Sequence, residues 1–405
     1  MDKVYYSSAD CCGCGICMIT CPKNAISMKC DEKGFVYPAI NSSSCVDCGA
    51  CKRICSFIKR KKADIGESYL GCYAACNKNH NELHQSTSGG VFSAVAHSFL
   101  EQGGVVAGAC MELKNRKVHV YHKLIDTKEE LPDLQGSKYV QSNLWECVDK
   151  MEALLNAGKN VLFSGTPCQV DAIKGKFSKY LETQLFTIDV VCHGVPNKSF
   201  FESFLEEYQK RENLKLKKII FRDKKNGWGH KGSLVTEDNR IIAFTRGGFS
   251  FYNYFIEGEI SRESCYFCPY ACLERVGDIT VGDYWGIKNY DPQLLTENGG
   301  AFDFKMGVSC LIVNNTRGEE LLKRFGSNLQ KAPIQIQHIM QINTQLREPS
   351  KHTKLRNKIF SLYIKQGYCA VEKLFERQML YKKIKKKIKT FIPKILLQGI
   401  TGKSQ

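Results

Sequence analysis

No stretch of this sequence is apolar for long enough to cross a bilayer. Val105 to Leu113, about the longest such run, already contains Glu112. The amino terminus, Met1-Asp2-Lys3-Val4-Tyr5-Tyr6, lacks the apolar core of a secretory signal. Together these absences make a cytoplasmic protein the expectation. Acid is scarce as well: 41 Asp and Glu stand against 58 Lys and Arg, for a formal charge of +17. Residues 381–405 contain no acid but hold eight lysines, at 382, 383, 385, 386, 387, 389, 394 and 403.

Cysteine, by contrast, is plentiful. The 405 residues include 21 cysteines, an odd number, in an otherwise ordinary composition of 43% hydrophobic and 24% charged residues. Thiols stay reduced in the cytosol, so this excess points to metal ligation or redox chemistry rather than disulfides. Four thiolates on an oxidised 4Fe–4S core carry about −2, so three such clusters would bring the net charge to roughly +11.

The cysteines are patterned. Cys11-x2-Cys14-x2-Cys17-x3-Cys21-Pro22 is repeated 34 residues later as Cys45-x2-Cys48-x2-Cys51-x3-Cys55, with Gly15 and Gly49 also matching. Two-residue spacers let three thiolates wrap one cuboidal cluster, and the fourth projects toward the other. The spacing therefore predicts one cluster on Cys11, Cys14, Cys17 and Cys55, and a second on Cys45, Cys48, Cys51 and Cys21. Zinc knuckles are the alternative, but zinc uses separated pairs and does not need three evenly spaced cysteines plus a fourth. Ser56 stands where a proline usually follows the last cysteine, and Cys12 is read as a spectator.

Residues 1–60 are thus read as a dicluster domain, with a linker near residues 59–68 opening on Lys59-Arg60-Lys61-Lys62. Beyond it, strand-like and helix-like segments alternate. Strands are expected at Tyr69–Cys76, Val105–Met111, Val161–Phe163, Leu185–Val191, Ile219–Phe221 and Leu234–Thr236. Helices are expected at Gly90–Gln102 (Val91, Val95, His97 and Phe99 near one face), Trp145–Asn156 and Phe200–Lys210. The fold class is α/β (α+β): a small ferredoxin-like domain, a mixed-sheet body, and a mainly helical last eighty residues. Gly227-Trp228-Gly229-His230-Lys231-Gly232 matches G-x-G-x-x-G, but a charged turn precedes it and a strand-like run follows, so it is read as a loop. His80 and His84, in the polar segment Asn77–Ser88, are also read as solvated loop.

Four further cysteines form a third set. Cys168 lies in Ser164-Gly165-Thr166-Pro167-Cys168-Gln169, where a helix start would favour a negatively charged cluster. Cys192 follows a strand in Cys192-His193-Gly194-Val195-Pro196, and Cys265 and Cys268 form a C-x-x-C. Singly, each reads as a buried structural thiol.

Taken with Ser86-Thr87-Ser88-Gly89-Gly90-Val91-Phe92, Gly136-Ser137-Lys138-Tyr139-Val140-Gln141-Ser142 and Gly277-Asp278-Ile279-Thr280-Val281-Gly282-Asp283-Tyr284-Trp285-Gly286, these motifs are similar in kind and order to a known family. Over about residues 1–315 the chain resembles the coenzyme F420 hydrogenase/dehydrogenase beta-subunit family, with a dicluster ferredoxin segment in front. The resemblance implies that residues 68–145 and 146–315 are the amino- and carboxy-terminal parts of the family body, leaving 316–405 as a helical region with a basic tail. It implies FAD and a third 4Fe–4S cluster on Cys168, Cys192, Cys265 and Cys268, with Cys272 a rival for one place. Ser86, Thr87, Ser88, Gly89 and Gly90 offer helix-start N–H groups to a flavin pyrophosphate, or form an ordinary cap with Ser88 as capping residue. Ser137, Lys138 and Tyr139 offer a cation and hydroxyls beside the flavin, unless Lys138 is a surface lysine.

The resulting reading is an iron–sulfur flavoprotein oxidoreductase joining a two-electron partner, such as coenzyme F420, to one-electron carriers. A non-catalytic relay subunit of a larger redox complex is the alternative, as is a ferredoxin-dependent reductase of a metabolite or sugar-polymer precursor. No side chain is nominated as acid or base. Partners are redox proteins or small-molecule donors and acceptors; nucleic acid is not expected, since no recognition motif accompanies the charge. The tail is either a solvated basic helix or a weak anchor at the inner membrane surface.

Overall fold

A computed structural model of the chain describes residues 4–61, 68–114 and 117–391, with side chains in the last helix described to residue 386. The cysteine repeat forms two short loops. Each leads through a left-handed glycine (Gly15 φ 79°, Gly49 φ 72°) into a single helical turn, Ile16–Ile19 and Ala50–Arg53. Between them β1 (Ile26–Cys30) and β2 (Val36–Ile40) pair antiparallel. Lys59 and Arg60 end the helix Ser56–Arg60. Residues 62–67, most of the expected linker, lie outside the described residues.

The body is built on one mixed eight-stranded sheet. Its strands are β3 (Gly71–Asn77), β4 (Val105–Lys114), β5 (Lys117–Ile125), β6 (Val161–Gly165), β7 (Leu185–Val190), β11 (Ile279–Asp283), β12 (Ser309–Val313) and β13 (Leu329–Pro333). Their order across the sheet is β13-β3-β12-β11-β7-β6-β4-β5. The central run β4, β6, β7 and β11 is parallel, so the carboxyl ends of four strands share one edge. A separate antiparallel sheet holds β8 (Leu216–Ile220), β9 (Lys231–Thr236) and β10 (Ile241–Thr245). The helix Val91–Glu101 covers one sheet face with Val91, Val95 and Phe99 buried, sharing a core with Val106, Leu162, Phe186 and Leu311.

A second core ties the dicluster segment to the body. Phe35 and Tyr37 join Phe200, Phe201 and Phe204 of the helix Lys198–Arg211, together with Phe360 and Tyr368 of the last two helices. Burying a side chain of this size contributes about 1.5–3 kcal/mol, so the dicluster segment is packed in, not tethered.

Several expectations are corrected. His80–Gln85 is a helix, not a loop, because Asn79 caps it by accepting from the N–H groups of Asn81 and Glu82. His97 leaves the apolar face and pairs with Glu82 and Glu101. The carboxy-terminal region is mainly helical among the described residues, as expected, with one strand, β13, that pairs with β3.

Candidate functional site

The four strand ends build the site. In open α/β sheets ligands bind outside the carboxyl ends of the parallel strands. Here that edge carries Ala109 from β4, Ser164 to Gln169 after β6, Val190 to Val195 after β7, and Val281 to Trp285 at the end of β11. They line a cavity of about 570 Å³. Cys168 and Cys192 follow neighbouring strands, which is why residues 24 apart in sequence open onto the same cavity.

Seven of the eight expected cofactor residues line this cavity: Ser86, Thr87, Ser88, Gly90, Ser137, Lys138 and Tyr139. The two segments meet directly, Thr87 Oγ1 lying 2.9 Å from Ser137 Oγ. Gly89 faces away from it. A Cβ there would sit 2.2 Å from the Ala75 carbonyl, and its N–H donates to Ser309 Oγ (2.9 Å). Ser88 does not cap the helix; its hydroxyl donates to the Val308 carbonyl, and left-handed Gly90 (φ 72°) is the N-cap. The first-turn N–H groups therefore lack a side-chain cap at the cavity wall, an arrangement suited to an anion. Behind the turn, the buried Lys224 ammonium donates to the carbonyls of Leu83 (2.7 Å) and Ser88. Burial lowers the Lys224 pKa to about 7.

Lys138 is no surface lysine. It lies in the cavity wall donating to the Gln135 carbonyl (2.7 Å), and burial pulls its pKa down to about 7. Tyr139 stacks on Phe255 (4.5 Å), and its hydroxyl accepts from Arg222 (3.3 Å). Arg222 is paired with Asp283 through both guanidinium nitrogens (3.1 and 3.2 Å) and lies over Trp285 (4.9 Å). The Gly227–Gly232 segment is a loop leading into β9, yet it supplies this wall. Trp228 stacks on Trp285 at 4.4 Å, and His230 lines the cavity. That contribution was invisible in the sequence, where the glycine pattern suggested only a fingerprint to be dismissed.

The dicluster cysteines gather in two places. Cys11, Cys14, Cys17 and Cys55 line one small cavity, while Cys21, Cys45, Cys48 and Cys51 line another. Among the described residues no three His, Cys, Asp or Glu side chains close on a single metal ion. A cubane, which puts each thiolate on its own iron, spaces its ligands more widely. Burial pushes the Cys11 thiol up to about 12 and the Cys55 thiol to about 11, so cluster assembly here must release protons.

The cysteines of the body set are half-buried. Cys192 is raised well above the ordinary thiol range by burial and then by Cys265, Cys168 and Cys268, in that order of strength. Cys272 is turned elsewhere. Its thiol donates to the carbonyls of Glu274 (3.3 Å) and Pro269 (3.7 Å), and Arg60 Nη2 donates to it (3.7 Å). Cys12, read as a spectator, lies with Cys168 in the wall shared by the small Cys11 cavity and the large one. It keeps its proton by hydrogen bonding to Cys14 and Cys168, whose thiols are drawn down in consequence.

Comparisons with known proteins place the chain in a family. The family model for the coenzyme F420 hydrogenase/dehydrogenase beta subunit amino-terminal region matches residues 72–148, and that for its carboxy-terminal region matches 158–336. The 4Fe–4S dicluster domain model matches residues 10–57. An uncharacterized protein of Methanocaldococcus jannaschii is 24% identical over 331 residues, covering 74% of this chain and 86% of its own. Among solved structures, the F420-reducing [NiFe] hydrogenase complex from Methanosarcina barkeri matches with 16% identity and a TM-score of 0.47, over 73% of this chain and 92% of that one. The chain is an iron–sulfur electron-transfer protein that belongs to the coenzyme F420 hydrogenase/dehydrogenase beta-subunit family and carries a 4Fe–4S dicluster domain at residues 10–57.

Proposed function

We propose that this protein is an iron–sulfur flavoenzyme, passing electrons between a two-electron donor or acceptor in the large cavity and one-electron carriers at the dicluster domain. The observation that carries the reading is the shared wall: Cys168 lines both the large cavity and the small cavity around Cys11, Cys14, Cys17 and Cys55. Three sites thus run in series from the cavity, through a body cluster on Cys168, Cys192, Cys265 and Cys268, to a proximal cluster on Cys11, Cys14, Cys17 and Cys55. The distal cluster, on Cys21, Cys45, Cys48 and Cys51, ends the series at the surface, where Cys48 and Val46 are exposed.

FAD, when bound, exchanges an electron pair with a substrate and releases electrons singly. The chain's own part is to hold and orient it. The first turn of the helix Val91–Glu101 and Lys138 together make an anion site fit for the pyrophosphate. Ser137 and Thr87 join the two loops that carry this site. Coenzyme F420 is the two-electron partner the family name suggests. A preparation with full clusters and no flavin would favour the relay-subunit reading instead.

Lys138 supplies the test. With a pKa near 7 it is charged at pH 6 and mostly neutral at pH 8.5, so above 7 anion binding must recruit a proton. FAD rebinding to flavin-stripped protein should weaken by up to ~10-fold per pH unit above 7. Lys138→Met should bind weakly with a flat profile. Equal rebinding at pH 6 and 8.5 in the parent chain would remove Lys138 from the pyrophosphate site.

The tail carries a separate proposal. Among the described residues no helix is long and apolar enough to cross a membrane. The last helix, Tyr368–Phe391, ends with Lys382, Lys383, Lys385 and Lys386 exposed around Leu380, Tyr381 and Ile384, which are 59%, 65% and 47% exposed. The run of lysines continues at 387, 389, 394 and 403, and each lysine near an anionic lipid surface contributes about 1 kcal/mol. The side chains of 387–391 and everything from residue 392, including Pro393, lie outside the described residues. Sedimentation with anionic vesicles at low salt should deplete the full chain and spare one ending at Leu380. Equal depletion of both would leave the tail as solvated surface.

A further inference from the structure

Where the dicluster segment meets the body, one buried cation stands between the two inner cysteine sets. Arg262 is 1% exposed, and among the described residues no carboxylate closes an ion pair with it. Its Nε donates to Gln141 Oε1 (3.0 Å), its Nη1 to the Cys11 carbonyl (3.3 Å) and its Nη2 to the Val36 carbonyl (2.8 Å). The guanidinium also lies over the rings of Tyr37 (4.5 Å) and Phe35 (5.4 Å). It fills its space closely: a Cβ on Gly13, between Cys12 and Cys14, would come within 2.5 Å of Nη2.

These partners disperse the charge but do not neutralise it, and a buried cation without a counter-charge is costly. The missing counter-charge lies in the flanking cysteines. Arg262 is three residues before Cys265, and its N–H donates to the Val195 carbonyl (2.9 Å) in the turn that follows Cys192. Its charge acts on the thiols of Cys11, Cys168 and Cys265, one from the proximal set and two from the body set. Gln141 fixes it in place, since the same amide donates its Nε2 to the Cys12 carbonyl (2.9 Å).

We propose that Arg262 is a shared counter-cation for the proximal and body clusters, held between them so that it raises the reduction potential of both. The proposal rests on the three-cluster reading above. A cubane with four thiolates becomes one unit more negative on reduction, and cluster potential follows net charge and hydrogen bonding around the sulfurs. A fixed positive charge in a water-poor site favours the reduced state, and does so for each cluster it lies beside. The distal cysteines surround a separate cavity, and none of the hydrogen-bond partners of Arg262 (Gln141, Cys11, Val36 and Val195) lines it. Arg262 is therefore a positioning residue whose charge, more than its shape, sets the electron distribution along the chain.

The test uses the full chain, reconstituted anaerobically, as parent, Arg262→Met and Arg262→Lys. Iron content and the reduction steps followed by electron paramagnetic resonance are the readouts. In Arg262→Met two of the three reduction steps should move to lower potential while the third stays, with iron retained. Arg262→Lys, which keeps the charge, should return both steps toward the parent. Unmoved potentials in Arg262→Met would overturn the proposal, as would an equal fall in Arg262→Lys, since shape alone would then explain it. Should Arg262→Met fail to fold, Arg262→Gln against Arg262→Lys makes the same comparison. A parent chain holding only about eight iron would end the body-cluster reading and the sharing together; about twelve iron with unmoved potentials would end the sharing alone.

Discussion

Cys14→Ser and Cys48→Ser should each remove about four of roughly twelve iron atoms, and Cys168→Ser or Cys265→Ser should remove a different four. Each variant deletes one thiolate from a set of four, and a cubane left with three thiolates has one iron without the ligand that holds it. The sets are defined by position as well as spacing. Cys55 lies with the first loop and Cys21 with the second, around separate cavities, so each single variant should spare the neighbouring cluster. Two cysteines should behave otherwise. Cys12→Ser should keep all the iron, because its thiol stands as a donor toward Cys14 and Cys168. Cys272→Ser should do the same, because its thiol is engaged by Arg60, Glu274 and Pro269. Iron and labile sulfide counted after anaerobic reconstitution decide the matter. Near-stoichiometric zinc, or iron lost from Cys272→Ser and kept in Cys265→Ser, would overturn the assignment.

The parts of the site legible in the sequence were those carried by local pattern. The repeated cysteine spacing defined the two dicluster sets, and the apolar runs ending at Phe163 and Val191 marked two central strands within two residues of β6 and β7. Pairing across long separations was not legible. β11 and β12 are five residues each and pair with each other, β12 in turn pairing with β3 more than 230 residues away, so neither has a periodicity long enough to announce it. The choice between Cys272 and its neighbours had the same character. C-x2-C-x3-C permits either, and what turns Cys272 aside is Arg60, 212 residues distant in sequence. Arg262 carried no signal at all, because one arginine before a C-x-x-C looks like any surface arginine until both cysteine sets are folded around it.

Asp189→Ala should be among the most damaging single changes in the body, because it strands a buried guanidinium. Asp189 on β7 is fully buried, and its partner Arg275 has a side chain 1% exposed. One carboxylate oxygen accepts from Arg275 Nη2 (2.9 Å) and Nε (3.3 Å), and the other accepts from the N–H groups of Gly277 (2.9 Å) and Val276 (3.3 Å). Arg275 in turn donates to the carbonyls of Tyr270 (2.6 Å) and Val190 (3.1 Å). The pair thus clamps the segment just after Cys268 onto the strand end just before Cys192, holding two halves of the body set in register. Removing one partner of a buried pair costs about 3–5 kcal/mol, a large part of the ~5–15 kcal/mol that keeps a domain folded. Asp189→Ala should therefore lower the urea midpoint and take iron from about twelve to about eight, sparing the dicluster domain. Replacing both partners at once, Asp189→Leu with Arg275→Met, leaves no uncompensated charge and should cost less than Asp189→Ala alone. If the double replacement proved as damaging as Asp189→Ala, the stranded charge would not be the cause, and the lost backbone acceptors at Val276 and Gly277 would be.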